Sequence, residues 1–136
     1  MDINKIINLY RMFPKYQNNS YHELYYHIIP SIQLNQFKIF EDEDGVYGFV
    51  NWAYLNKDTE TKYKNKAQIY KNKWNCGSNL WIHDVVSIRK TKDVALWIIK
   101  HCLNQIKTND YFSWIRVNNN NQIRRISKKY KREFHN

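Results

Sequence analysis

Nine consecutive residues, Leu80-Trp81-Ile82-His83-Asp84-Val85-Val86-Ser87-Ile88, carry the β-branched and aromatic content of a strand buried on both faces, with a carboxylate in their middle. Strict alternation sets Asp84 on one face with Leu80, Ile82, Val86 and Ile88 and turns His83 the other way with Trp81 and Val85. Burying an unpaired charge is costly, so Asp84 must find a cation, gather hydrogen-bond donors, change its protonation or open into a functional cleft. At this level a structural ion pair and a catalytic carboxylate answer that demand equally well.

The chain has 136 residues, the size of one domain with its own core, and 43% hydrophobic residues argue against disorder. No apolar run approaches the roughly 20 residues of a membrane span, and the N-terminus lacks the apolar stretch of a signal peptide, so a cytoplasmic location is expected. Cys76 and Cys102 are too few for a disulfide framework, and no Cys/His spacing resembles a zinc site, so no metal ligands are expected. Twenty-two Lys and Arg against twelve Asp and Glu give a net charge of +10, which suits an acidic partner. That inference is discounted by the chain's crowding with Lys, Asn, Ile and Tyr, including Asn118-Asn119-Asn120-Asn121, a bias that an AT-rich coding sequence produces whatever the protein does.

Apolar residues at helical spacing, Ile3, Ile6, Ile7, Tyr10 and Met12, predict a first helix over 3–12, closed by Phe13-Pro14. Ser20 and Glu23 form a capping box that opens a second helix through Leu24, Ile28 and Ile32, with Pro30 expected to kink or end it. Residues 36–40 and 46–55 read as a hairpin around the acidic turn Glu41-Asp42-Glu43-Asp44-Gly45. A polar helix over 59–70 follows, then the Asp84 strand, an amphipathic helix beginning near Thr91, and a strand over 111–117. Helices, a hairpin and a β-α-β segment predict an α+β domain over residues 1–120, a single-domain mixed sheet flanked by helices like that of the N-acetyltransferases. Residues 121–136 read as a basic tail packed on it or extending from it.

Five blocks carry a resemblance. Ile29-Pro30-Ser31-Ile32, Asn35-Gln36-Phe37, Val50-Asn51-Trp52-Ala53-Tyr54-Leu55, Trp81-Ile82-His83-Asp84 and Ile115-Arg116-Val117 fall in the order and approximate spacing of the toxin-activating lysine acyltransferases. The chain resembles that family over roughly residues 5–120. The resemblance implies a cytosolic bacterial enzyme with an N-acetyltransferase-like fold and no tightly bound cofactor. Its donor would be the acyl-phosphopantetheine of acyl carrier protein, and its acceptor an internal lysine of an RTX protoxin. It also leaves a homodimer open.

The family is suspected to use a histidine and an aspartate. Asp84 matches the aspartate. The histidine, two residues after a proline, is replaced here: the segment is Pro14-Lys15-Tyr16. A tyrosine, with a pKa of about 10, is a poor general base near neutrality unless cations lower it. Tyr16 could still pass a proton to the leaving thiolate. Alternatively His22, in the first turn of its helix, or His27, read as facing core or solvent, takes the vacated role, or the chain has become a binding protein. Aminolysis of a thioester needs a neutral amine from a group with a pKa of about 10.4. Asp84 could orient the base or hold the incoming ammonium; no oxyanion donor is legible.

Arg89-Lys90-Thr91-Lys92 joins the Asp84 strand to the next helix, where cations and free helix N-terminal amides would meet a phosphate. Coenzyme A enzymes of this fold carry a glycine-rich loop there, whereas this chain has no glycine after Gly77, a departure that disfavours acetyl-CoA and tolerates acyl carrier protein. Arg116, as a partner of Asp84 or of a substrate anion, Trp81, as core or acyl-cleft lining, and Asn35 complete the expected donor-binding set. The rival class is a nucleic-acid-binding module, supported by Arg124-Arg125, Lys128-Lys129 and Lys131-Arg132 but by no recognisable motif, which makes nucleic acid the less favoured partner.

Overall fold

The computed structural model describes residues 2–117 and 123–133. Asp2 caps α1 (Ile3–Tyr10), which turns Ile6, Ile7, Leu9 and Tyr10 inward. The helix ends two residues short of the expected boundary because Met12 and Phe13 bond three residues back, to Leu9 and Tyr10, tightening the chain toward a 3₁₀ turn at Pro14–Tyr16. The capping box forms as expected: Ser20 Oγ accepts from the Glu23 amide at 3.1 Å, and Glu23 Oε1 accepts from the Ser20 amide at 3.0 Å. The helix that follows, α2 (Tyr21–Gln33), does not end at Pro30 but continues past it. Proline there forfeits one bond, to the carbonyl four residues back on the exposed Tyr26, and the buried Leu24, Ile28 and Ser31 hold the helix to the sheet regardless.

The hairpin β1 (Phe37–Asp42) and β2 (Gly45–Leu55) is followed by α3 (Lys57–Lys66), then β3 (Asn79–Ser87), α4 (Thr91–Gln105), β4 (Tyr111–Val117) and β5 (Ile123–Tyr130). Helix α3 is shorter than the expected 59–70 because Ala67 adopts a left-handed conformation that stops it. The strands form one sheet in the order β1-β2-β3-β4-β5, antiparallel except for β3 and β4. Helices and a mixed sheet make the α+β domain that the pattern predicts. The tail contributes more than expected: Ile123–Tyr130 pairs along β4 from Tyr111↔Tyr130 to Val117↔Ile123, and Ile126 packs on the cluster of Ala53, Tyr63 and Trp81. Its lysines and arginines are the charge that an edge strand carries against further pairing.

Two irregularities position the site. Between β2 and β3, Asn51 pairs with Asp84 and Trp52 with Ile82, so His83 is an extra residue, a β-bulge. The bulge resets the alternation. Leu80 and Ile82 pack with Val94, Ile98 and Phe112 on the α4 side, whereas Asp84 and Val86 face Tyr10 and Phe49 on the α1/α2 side. The expectation that Asp84 shares a face with Leu80 and Ile82 is thereby overturned: one inserted residue moves every later side chain across the sheet. Second, β3 and β4 pair only at Trp81↔Ser113 and Ile82↔Trp114 and then part, opening a wedge beside Asp84.

Ending the chain after Val117 removes the β5 ladder and the packing of Ile126. The expected loss is about 2 kcal/mol or more, roughly 8 °C in Tm, read by thermal circular dichroism. A free tail would leave Tm unchanged.

Candidate active site

Asp84 is 8% exposed, and its carboxylate is met from three directions. Tyr10 Oη, on α1, donates to Oδ2 at 2.8 Å; Tyr16 Oη, on the 3₁₀ turn, donates to Oδ1 at 3.3 Å; His27 Nε2, on α2, lies 2.6 Å from Oδ2. The backbone amide of Asp84 donates to Asn51 Oδ1 at 2.9 Å, and Asn51 Nδ2 donates to Ser31 Oγ at 3.1 Å, which ties the bulge to α2. Beside it, His83 Nδ1 lies 3.0 Å from the Tyr63 hydroxyl of α3, with its ring 5.5 Å from that of His27. The bulge thus puts two consecutive side chains, His83 and Asp84, among the helices.

The electrostatics follow from this packing. Burial pushes the Asp84 carboxyl up, but the charges of His27 and His83 and the bonds from His27 and Tyr10 outweigh it and hold the group well below the usual carboxylate range. Burial opposes a charged His27, yet the charge and hydrogen bond of Asp84 win and raise its pKa above the ordinary 6.5. His83, dominated by burial, is pushed down to about 4 and is neutral near pH 7. Burial, then the charge of Asp84, raises Tyr16 and Tyr10, so both stay protonated and act as donors; Lys15, 5.3 Å from the Tyr16 ring, does not reverse this. His27, His83 and Asp84 each offer a ligand atom within 4.8 Å of the others, but these groups also satisfy one another directly or through Tyr63.

A cleft of about 500 Å³ in the wedge between β3 and β4 is lined by Tyr16, His83, Asp84, Ile98, Phe112 and Trp114, with Thr91 of α4. Its wall is largely apolar, and Asp84 of the His27–Asp84 dyad lines it. A smaller polar cavity of about 290 Å³ touches Tyr16, His27, Tyr63, His83 and Asp84.

Sequence reasoning located part of this. Asp84 and Tyr16 meet as the resemblance implied. His22 does not join them: it is exposed on α2, its ring stacked 6.1 Å from Tyr26, and His27 takes the place at Asp84. The signal was legible, because His27 stands three residues after Leu24 and four before Ser31, on the buried stripe of α2. Asn51, Tyr10 and Tyr63 were also missed.

The expected donor set disperses. Arg89 donates to Asp42 and to the Gly45 carbonyl at 3.1 Å, and Lys90 Nζ lies 2.8 Å from Asp42, so both serve the β1–β2 turn. Their hydrogen bonds hold the Asp42 carboxyl below its usual range. Lys92 is exposed in the first turn of α4, whose N-terminus has no side-chain cap. Arg116 is exposed in the β4–β5 ladder opposite Arg125 and does not bond Asp84. Trp81 is core, its Nε1 donating to Glu60 at 2.9 Å. Asn35 is exposed with φ 56° at the end of α2.

The model of the RTX toxin acyltransferase family matches residues 3–131. Among curated proteins, a protein-lysine palmitoyltransferase of Bordetella bronchiseptica is 31% identical over 75 residues, covering 54% of this chain and 40% of its own. An RTX-I toxin-activating lysine-acyltransferase of Actinobacillus pleuropneumoniae is 28% identical over 109 residues, covering 79% and 58%. An RTX-II toxin-activating lysine-acyltransferase of the same species is 27% identical over 86 residues, covering 62% and 54%. The chain spans about half the length of the curated relatives it matches.

Asp84→Asn removes what raises the His27 pKa and leaves the burial that lowers it. The His27 imidazole, followed by NMR, should titrate above 6.5 in the wild type and below 6.5 in the variant. Because the folded-state pKa is raised, the stability from this pair is complete below 6.5 and is lost as pH climbs through the folded value; urea melts should show wild type losing more over that interval than Asp84→Asn.

Proposed function

The chain belongs to the RTX toxin acyltransferase family, and from that premise and the geometry around Asp84 we propose that it transfers a fatty acyl group from acyl carrier protein to an internal lysine of a protoxin-like acceptor. The observation that carries this reading is the 2.6 Å contact of His27 with Asp84, a residue that itself lines an apolar cleft between two parting parallel strands. The relatives' names supply the acceptor chemistry, since they act on lysines of RTX toxins or are protein-lysine acyltransferases.

In this reading the acyl chain and pantetheine arm lie in the β3/β4 cleft against Phe112 and Trp114. The pantetheine phosphate sits at the uncapped N-terminus of α4, near Lys92, where free amides and the helix dipole favour an anion. No glycine follows Gly77, and the +10 charge suits the acidic surface of a carrier protein.

Asp84 holds the His27 Nε2–H and leaves Nδ1 to take a proton from the lysine ammonium. The neutral amine attacks the thioester carbon, forming the C–N bond, while Asp84 stabilises the imidazolium. In the tautomer where Tyr63 donates to His83 Nδ1, neutral His83 carries its proton on Nε2 and offers it to the developing oxyanion. Collapse breaks the C–S bond and the imidazolium gives its proton to the departing thiolate, with Tyr16 as hydrogen-bond donor beside it; the neutral His27 then takes the second proton from the acylated nitrogen, leaving the amide, and releases it to solvent.

In a reconstituted assay with acyl carrier protein and a lysine acceptor, Asp84→Ala and His27→Ala should each lower kcat by about 10³-fold or more, Tyr16→Phe by about tenfold, and His22→Ala not at all. Rate should rise with pH through a pKa above 6.5, since the base must be neutral. Full activity of His27→Ala, or dependence on His22, would remove His27 from the mechanism; no transfer by the wild type from any acyl thioester would remove the function.

A further inference from the structure

A cavity of about 710 Å³ has no part in the donor's path. It lies between α2 and α3, on the face of the sheet away from α4, and Tyr26, Pro30, Lys66, Tyr70, Trp74 and His83 are among its lining. His27 and His83 belong to its lining and also to that of the small polar cavity that touches Asp84. The three cavities therefore adjoin at His83, which lines each of them, and the cavity between α2 and α3 reaches the His27 side of the His27–Asp84 dyad.

Two independent features say what belongs there. Trp74 is 3% exposed and its indole Nε1–H has no hydrogen-bond partner among the described residues. A buried donor left unpaired costs about 1–3 kcal/mol, and Trp74 belongs to the cavity's lining. The lining also carries Lys62, Lys66, Lys71 and Lys73 against Glu23 and Asp58. Asp58 pairs with Lys62 at 3.5 Å and Glu23 is engaged by Ser20, while Lys66, Lys71 and Lys73 are in no ion pair among the described residues. Exposed Tyr26 and Tyr70 add flat apolar surface beside those cations.

We propose that this cleft is the acceptor site, and that its ligand is an extended protein segment with carboxylates flanking the target lysine. The Trp74 N–H takes a backbone carbonyl of the segment, Lys66, Lys71 and Lys73 face its carboxylates, and the target side chain passes between α2 and α3 to His27. Donor and acceptor then reach the dyad from opposite faces of the sheet, so neither must leave for the other to bind. This inference rests on the acyl transfer proposed above.

The test uses the full chain and three synthetic peptides with one central lysine, flanked by aspartates, asparagines or arginines. Binding is read by fluorescence anisotropy without donor, and transfer with saturating acyl carrier protein. The aspartate-flanked peptide should bind about tenfold or more tighter than the arginine-flanked one. Lys66→Glu with Lys71→Glu should invert that order while the KM for the donor holds. Trp74→Phe should weaken peptide binding about 3- to 10-fold while the thermal melt stays cooperative and the KM for the donor holds. Transfer without flank preference, unmoved by charge reversal, overturns the acceptor site alone. Ordered binding without transfer from any donor overturns the proposed function and leaves the cleft as a site for acidic segments.

Discussion

The β-bulge at His83 is the constraint on which the site depends. Without an extra residue, Asp84 would follow Ile82 onto the α4 face, among Val94, Ile98 and Phe112, where no cation or donor would meet it. With it, the carboxylate turns to Tyr10, Tyr16 and His27, and the strand's own amide is fixed by Asn51. The cost of the buried charge is thus met by hydrogen bonds from three elements, and the charge and hydrogen bond of Asp84 in turn raise the basicity of His27. Burial and reactivity have one cause.

The parting of β3 and β4 gives that arrangement access. Two pairs hold the strands together at Trp81 and Ile82, and the sheet then opens where Asp84 begins to need a substrate. The parallel pair is flanked by antiparallel ladders on both sides, β2 on β3 and β5 on β4, so the opening sits in the middle of a sheet held at its edges. The contribution of β5 is therefore structural support for a functional gap.

Much of the fold was legible because its signals are local. The Ser20–Glu23 box, the hairpin turn at Gly45 and the helical stripe of Val94, Ile98 and Cys102 are each written within a few residues. Asp84 was conspicuous because a carboxylate in an apolar run has few places to go. What failed was non-local or hidden by charge. The bulge depends on how β2 pairs with β3, so strict alternation misplaced the face. Lysines and arginines masked β5, although Ile123 and Ile126 were there to pack. Arg89 and Lys90 read as a phosphate site until the fold brought Asp42 beside them. His27 was passed over for His22 because nearness to a helix start was weighed above position on its buried stripe.

The central claim is that a carboxylate set by a bulge holds an imidazole between a lysine and a thioester arriving from opposite faces of one sheet. A crystal structure with a bisubstrate analogue, an acyl-pantetheine joined to the side-chain nitrogen of a lysine peptide, tests it most directly. The linking nitrogen should lie about 3 Å from His27 Nδ1, with the alkyl chain against Phe112 and Trp114 and the peptide between α2 and α3. An analogue bound elsewhere, with His27 and Asp84 still closed on each other and both cavities empty, would contradict it.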